Sequence, residues 1–398
     1  MSRSMKIAMM VRSYIPAPRP KDMIYAPIDL AVAIAKGLGS RGHKVTLFAP
    51  LGTEVYGENV TVETTNLRPL VENQSQFAAL LQNTDALIHE VPGLWDRHMA
   101  TEMFCRADKK EFDLLHFHHP EVALSGAVQH PKIPTVYTLH DPISAINKEL
   151  FELFSSANQK FIAISNNQKR DAADLPYLGR VYNATDITRF EYSDEPEDYL
   201  LFVGRITPEK GVKEAIQVAK ESGNRLLIIG PVAHDKQGYF DQYIKPELDD
   251  KILYLGSMEQ DQLPKYYQKA KALLTPVQWE EPFGLTTIES MACGTPVISL
   301  NRGAAPEIIN DGKTGYIVNS IADMVKAVGK IDKIKRRDCR THVARKFSIE
   351  HMVSNYEKAF LKMLDDKNTT PVKYDHTLKT AMKKVRQVLP KITTRKVK

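Results

Sequence analysis

Residues 272–294 read ALLTPVQWEEPFGLTTIESMACG. Three local signals follow one another in this stretch. Ala272–Thr275 is a short, wholly apolar run ending in a β-branched residue, the pattern of a strand buried on both faces. Pro276 to Gly284 cannot continue it and reads as a loop. Leu285–Ala292 has helical periodicity and is closed by Gly294. Buried strand, polar loop, helix is half of a βαβ unit, and the same cadence recurs along the whole chain.

Upstream, buried strands are expected at 6–11, 44–49, 85–88, 113–117, 134–139 and 160–164. The pattern restarts with 199–204, 225–230 and 252–255, followed by 272–275, 296–299 and 315–318. Helical periods such as Asp29–Leu38 and Val212–Glu221 lie between them. Continuous apolar strands alternating with helices imply parallel sheets covered on both faces. Two such series imply two doubly wound, Rossmann-like α/β domains. The segment 186–198, DITRFEYSDEPED, is charged, contains a Pro and separates the series. The expected division is 1–190, 191–347, a last helix within 348–366 that crosses back to the first domain, and a tail at 367–398.

Composition narrows the function classes. The chain has 398 residues, 43% hydrophobic and 26% charged, which excludes a fibrous or mainly disordered protein. No apolar run reaches the roughly 18 residues of a membrane span. Only a five-residue apolar run, 7–11, ended by Arg12, opens the chain, so the start reads as a first strand and not as a secretory signal. Cys105, Cys293 and Cys339 are scattered and odd in number. That argues against a disulfide scaffold or a cysteine metal cage and for a reducing cytoplasm. The net charge of +6 is unevenly spread. Residues 367–398 hold ten Lys/Arg and one acid, leaving the other 366 residues at −3.

The chemistry is expected at the carboxyl ends of strands. In the quoted stretch, Gly284 permits close backbone approach to a ligand, and the amides at the helix start favour an anion. Glu281 in the loop and Glu289 on the helix can face one crevice. In FVGRITPEKG, residues 202–211, Arg205 and Lys210 follow a strand and suit a diphosphate. His140 ends the strand at 134–139 and can face the same crevice. Asp141 is placed to fix its tautomer. His116, His118 and His119 cluster in sequence, but no further ligand signal supports zinc. No Asp-x-Asp triplet occurs, which removes the usual sequence signal for a metal-bound diphosphate.

Together the motifs carry a family resemblance. G-R-x-x-x-x-K-G at 204–211, E-P-F-G-L-x-x-x-E at 281–289, G-T-P-V-I at 294–298 and GAAPEIINDGKTGYIV at 303–318 resemble the retaining glycosyltransferases of family 4. The resemblance runs over roughly residues 5–362. It implies the GT-B arrangement, two Rossmann-like domains facing a cleft. It also implies a metal-independent, retaining hexosyltransferase that moves a sugar from a nucleoside-diphosphate sugar, most often a UDP-sugar, to an acceptor hydroxyl. By the same resemblance, Arg205 and Lys210 bind the donor diphosphate, Glu289 the ribose, and Glu281 the transferred sugar. The backbone at Phe283, Gly284 and Leu285 joins the donor site, His140 stands near the anomeric centre, and no cofactor is needed. An epimerase of the same fold and a non-catalytic nucleotide-sugar-binding protein are the alternatives. The family's usual Gly-Gly after the first strand is replaced by Ala26-Pro27, which reshapes that loop. Tyr25, Asp29 and His118 are the candidates for acceptor contact, with His118 either lining the cleft or packing beneath it.

In the tail, Leu378, Ala381, Met382, Val385, Val388 and Leu389 form one helical stripe, with Lys379, Lys383, Lys384 and Arg386 off it. Three readings stand. A basic amphipathic segment at 376–398 can touch an anionic membrane surface, which places the enzyme at the inner membrane face. It can dock on the N-terminal domain, or remain disordered. Tyr374 is its lone aromatic, so no nucleic acid partner is expected.

Overall fold

The structure, a computed structural model, describes residues 3–365 apart from 22, 24 and 84. The expectations for the basic tail therefore lie outside the described residues. Thirteen strands form two sheets, and every pairing is parallel.

The first sheet contains β1 (Lys6–Met10), β2 (Lys44–Phe48), β3 (Val60–Glu63), β4 (Leu114–Phe117), β5 (Thr135–Leu139), β6 (Gln159–Ala163) and β7 (Tyr177–Arg180). Its order is β3-β2-β1-β4-β5-β6-β7. The second contains β8 (Tyr199–Val203), β9 (Arg225–Ile229), β10 (Ile252–Tyr254), β11 (Ala272–Thr275), β12 (Val297–Leu300) and β13 (Gly315–Val318), in the order β10-β9-β8-β11-β12-β13. Both orders are those of doubly wound Rossmann sheets. Each reverses direction next to its first strand, between β1 and β4 and between β8 and β11. Ligands of such sheets bind at the carboxyl ends beside this reversal, because the two helices that follow diverge there to opposite faces.

The strands are apolar on both faces because both faces are covered. One face of the first sheet packs Ile7, Met9, Val45 and Leu114 against helix Ala26–Ser40. The other packs Ala8, Met10, Leu115 and Phe117 against helix Ala86–Asp108. The second sheet has its own core around Leu200, Leu226, Leu273 and Val297.

The chain passes between the domains twice at one place. Thr185 N–H donates to the Phe347 carbonyl at 3.0 Å, and Thr185 bridges Ser348 in parallel. Helix Ile349–Asp365 then returns to the first domain and buries Met352, Val353, Tyr356 and Phe360 in its core. Truncating a buried aromatic such as Phe360 to Ala costs about 3–5 kcal/mol, so this helix is part of the first domain's stability.

One element differs in type from its expectation. DALI at 85–88 begins a helix, with the Asp85 carboxylate capping Leu87 N–H at 2.8 Å. Leu87 is 70% exposed, so this short apolar run is surface and needs no sheet. Strands β3 and β7 lack a sequence expectation because both sit at sheet edges, where half-exposed residues break the apolar run.

Candidate active site

A cleft of about 860 Å³ opens between the domains at the carboxyl ends of their strands. Glu281, Glu289, Arg205, Lys210, Phe283, Gly284, Leu285, His140, Tyr25 and Asp29 all line it. Of the sequence candidates, His118 alone does not.

The loop after β8 supplies the cations. Gly204 N–H anchors the turn to the Ile229 carbonyl at 3.0 Å, and a short 3-10 turn at Pro208–Lys210 aims Lys210 inward. The Lys210 ammonium pairs with Glu281 Oε2. The same oxygen accepts from Trp279 Nε1–H at 2.8 Å, and the Trp279 ring lies 5.2 Å below Lys210 Nζ. Glu281 is thereby held through Oε2, and the residue lines the cleft. Arg205 is exposed and makes no hydrogen bond or ion pair among the described residues. An arginine left free beside a paired lysine suits a bidentate oxyanion.

The loop after β11 is held by its backbone. Gln278 N–H donates to the Glu209 carbonyl at 2.8 Å, joining it to the Lys210 turn. Ala304 N–H donates to the Glu281 carbonyl at 2.9 Å, and Glu280 accepts from Gly303 N–H at 2.9 Å. Gly284, at φ +98°, caps helix Leu285–Ala292 without any side-chain acceptor. The N–H groups of Leu285 and Thr286 therefore have no intrahelical partner, and they face the cleft with the positive end of the helix dipole. Phe283 packs its ring between Tyr182 and Phe347 at 5.9 and 6.0 Å, so its contribution to the cleft is through its backbone.

Glu289 stands one turn into this helix and is buried. Tyr267 O–H donates to Oε2 at 3.0 Å and Gln260 Nε2–H donates to Oε1 at 3.1 Å. Burial pushes its pKa up, and the two donors pull it back down.

On the opposite wall, His140 ends β5. Its Nε2 lies 2.8 Å from His118 Nδ1, and the rings stack at 5.1 Å. Burial lowers the His140 pKa to about 4, so the ring is neutral at pH 7. Two expectations need correction here. His118 is 1% exposed and lies behind His140, not at an acceptor surface, because β4 carries it inward. Asp141 makes no hydrogen bond to His140, whose ring partner is His118. Asp29 is tied to Arg19 at 2.8 Å. Ala26 and Pro27 occupy the first helical turn at the cleft wall.

A group that sequence reasoning passed over lies beneath Tyr25. Arg12 donates to Asp96 at 2.8 Å, to Glu121 at 2.8 Å, to His119 Nδ1 at 2.9 Å and to Tyr25 Oη at 3.3 Å. Arg12 read only as the residue that ends the first apolar run. Asp96 carried no signal, because it sits mid-helix and meets Arg12 only through the fold. Glu307 was also missed. Its carboxylate crosses between domains to the N–H groups of Asn166 and Asn167 at 2.8 and 2.7 Å, and accepts from Tyr182 O–H at 3.0 Å.

The arrangement places cations, free amides and a dipole on one wall and a neutral histidine on the other. It can hold a diphosphate and stabilise negative charge that develops on it. No group of three or more His, Cys, Asp or Glu among the described residues is arranged to hold a metal ion.

Two Rossmann-type domains around such a cleft are the GT-B arrangement, and comparisons place the chain among the glycosyltransferases that have it. The family model described as "glycosyl transferases group 1" matches residues 184–348, and that of "glycosyltransferase family 4" matches 30–189. The chain belongs to the group 1 glycosyltransferases. It is 34% identical over 171 residues to an uncharacterized 41.2 kDa protein in the cps region of Klebsiella pneumoniae, covering 40% of this chain and 45% of that protein. It is 26% identical over 316 residues to N-acetyl-alpha-D-glucosaminyl L-malate synthase of Bacillus anthracis, covering 69% and 81%. Several other curated relatives are matched over about half their length. Among solved structures, sucrose-phosphate synthase of Thermosynechococcus elongatus superposes with a TM-score of 0.70 at 16% identity, covering 91% of this chain and 99% of that one. Anabaena HepE in complex with UDP-glucose gives 0.64 at 17% identity, covering 90% and 100%. At these identities the structures share the fold. No helix among the described residues is long and apolar enough to cross a membrane.

Proposed function

We propose that this chain transfers a sugar from a nucleoside-diphosphate sugar, a UDP-sugar in the first instance, to an acceptor hydroxyl, with retention of anomeric configuration and without a metal ion. The observation that carries the reading is the donor wall: Arg205 unpaired, Lys210 fixed by Glu281 and Trp279, and the bare amides of Leu285 and Thr286 facing one cleft.

Each part has a physical task. The departing diphosphate gains negative charge as the glycosidic bond stretches. Arg205, Lys210 and the helix amides meet that charge in place, without reorganisation. Their positive charge substitutes for the metal that other diphosphate sites employ, which is the basis for proposing metal independence. Glu289 is positioned to accept from ribose hydroxyls, with Tyr267 and Gln260 holding it. Glu281 keeps one oxygen for hydroxyls of the transferred sugar. Neutral His140 faces them across the cleft and orients the sugar. The UDP and UDP-glucose bound by Anabaena HepE support uridine as the first base to test.

The test measures UDP affinity and UDP release from a panel of UDP-sugars in excess EDTA. Proton NMR of the product then reads the anomeric configuration. Lys210→Met is expected to lower turnover by about 10²–10³, as for loss of one preorganised electrostatic group. Wild-type turnover in Lys210→Met, or a strict metal requirement, would refute the reading of this wall.

A further inference from the structure

We infer that Tyr25 is a one-way hydrogen-bond donor that selects an acceptor carrying an oxyanion, a carboxylate or a phosphate. The inference rests on the proposed division of the cleft into a donor wall and an acceptor wall.

The polarity follows from Arg12, a side chain that can only donate. Arg12 Nη2 lies 2.9 Å from His119 Nδ1, so that nitrogen carries the lone pair. Burial and the Arg12 charge both lower the His119 pKa, so the ring is neutral and its proton sits on Nε2. His119 Nε2 contacts Tyr25 Oη and therefore donates to it. Arg12 Nε–H donates to the same oxygen at 3.3 Å. Tyr25 Oη thus receives two hydrogen bonds and has no lone pair left for a third. Its own hydrogen has no acceptor among the described residues, and Tyr25 lines the cleft. Burial raises the Tyr25 pKa, so the hydroxyl keeps that hydrogen. A group presented this way can bind an oxygen acceptor and cannot bind a donor.

The charges on this wall add the second half of the inference. Asp29 is neutralised by Arg19 at 2.8 Å. Arg12 faces Asp96 and Glu121, both at 2.8 Å. Asp141 has its pKa raised by burial and by the Glu121 carboxylate, against the lowering fields of Arg12 and Arg205. Lys21 is exposed, lines the same wall and makes no ion pair among the described residues. An unpaired ammonium on the same cleft wall as a directed O–H suits an oxyanion better than a neutral hydroxyl. The Arg12–Asp96 pair itself points to function. A buried ion pair seldom stabilises a fold more than apolar residues of the same volume. Here it holds Arg12, whose donor-only guanidinium sets the direction of the hydrogen bonds that end at Tyr25.

The experiment uses the full chain saturated with UDP, which occupies the donor wall and removes Arg205 and Lys210 as competing anion sites. Inorganic phosphate and succinate are titrated by calorimetry, with D-glucose as the neutral control. At least one anion is expected to bind. Tyr25→Phe and Lys21→Met should each weaken it by about 10- to 100-fold without changing UDP affinity. His119→Gln should preserve it within about threefold, because a glutamine can accept from Arg12 and donate to Tyr25 as the imidazole does. Lys21 is exposed, so its variant keeps the test informative if Tyr25→Phe folds poorly. Equal binding in wild type and Tyr25→Phe, no anion binding at all, glucose binding as tight as the anions, or loss of binding in His119→Gln would each overturn the inference. Failure of UDP to bind counts against the donor wall alone, and the comparison of wild type with Tyr25→Phe still decides the role of Tyr25.

Discussion

Replacing Gly303 by Ala should disable the site from behind. Gly303 sits at φ +56°, and a Cβ built there falls 2.3 Å from the Glu281 carbonyl oxygen and 2.4 Å from the Glu281 nitrogen. Carbon–oxygen contacts normally begin at about 3.3 Å, so the Glu281 segment must retreat by about 1 Å. The neighbouring Ala304 N–H to Glu281 carbonyl bond, 2.9 Å long, resists that retreat. A displacement of about 1 Å in a positioned group costs about 10²-fold in rate. The left-handed backbone adds roughly 1–2 kcal/mol of destabilisation for any residue with a Cβ. Gly312 separates the two effects. It has φ +72°, but nothing lies within 4 Å of its built Cβ. Gly312→Ala is therefore expected to lose only the backbone cost in denaturant titrations, and Gly303→Ala that cost plus the cost of the clash. Gly303→Ala alone should lose about 10²-fold in UDP-sugar turnover. Equal turnover in the two variants would show that the contact with the Glu281 backbone does not position the site.

Three further outcomes are expected. Glu289→Gln should weaken discrimination between UDP and 2′-deoxy-UDP in calorimetry, because the amide has one accepting oxygen and an NH2 donor in place of the second; an unchanged preference would place the ribose elsewhere. Glu307→Ala removes three hydrogen bonds that bridge Asn166, Asn167 and Tyr182. Its small-angle scattering should report a wider domain separation and its turnover should fall, whereas an unchanged scattering curve would deny Glu307 a role in holding the cleft. The His140 pKa is lowered by burial to about 4, so between that value and about 6.5 the unfolded chain binds the extra proton. Stability should therefore fall as pH drops through this interval, by at most about 1.4 kcal/mol per pH unit for this one group. Asp96, Asp141 and Glu289 are raised by burial and act in the opposite sense, so His140→Asn provides the comparison. Denaturation at pH 6.5, 5.5 and 4.5 should show a shallower slope in that variant; an equal slope refutes the assignment.

The fold was legible because parallel strands buried on both faces leave long apolar runs, as at 199–203 and 225–229. It was illegible where burial is partial. Val60–Glu63 and Tyr177–Arg180 are edge strands with mixed exposure, and the apolar run at 85–88 turned out to be the exposed start of a helix. On the donor wall, Glu281, Gly284 and Glu289 lie within nine residues of one another, and Arg205 lies five from Lys210. Such residues keep their spacing because a strand, a loop and a helix start fix it locally.

What the amino-acid sequence determined by itself is therefore the architecture and the grouping of the residues proposed to form the donor wall, since both are written in contiguous stretches with their own periodicity and turn chemistry. What only the tertiary structure decided is the acceptor wall. Arg12, Asp96, His119 and Tyr25 come from four separate segments, and although Tyr25 and His119 stand out in the sequence, nothing local joins them to Arg12 and Asp96. His118 shows the same dependence, because a histidine on a strand shifts from surface to support according to what packs over it. Hydrogen-bond direction needs a donor-only partner at a known distance. That partner, Arg12, reaches His119 across 107 positions of chain.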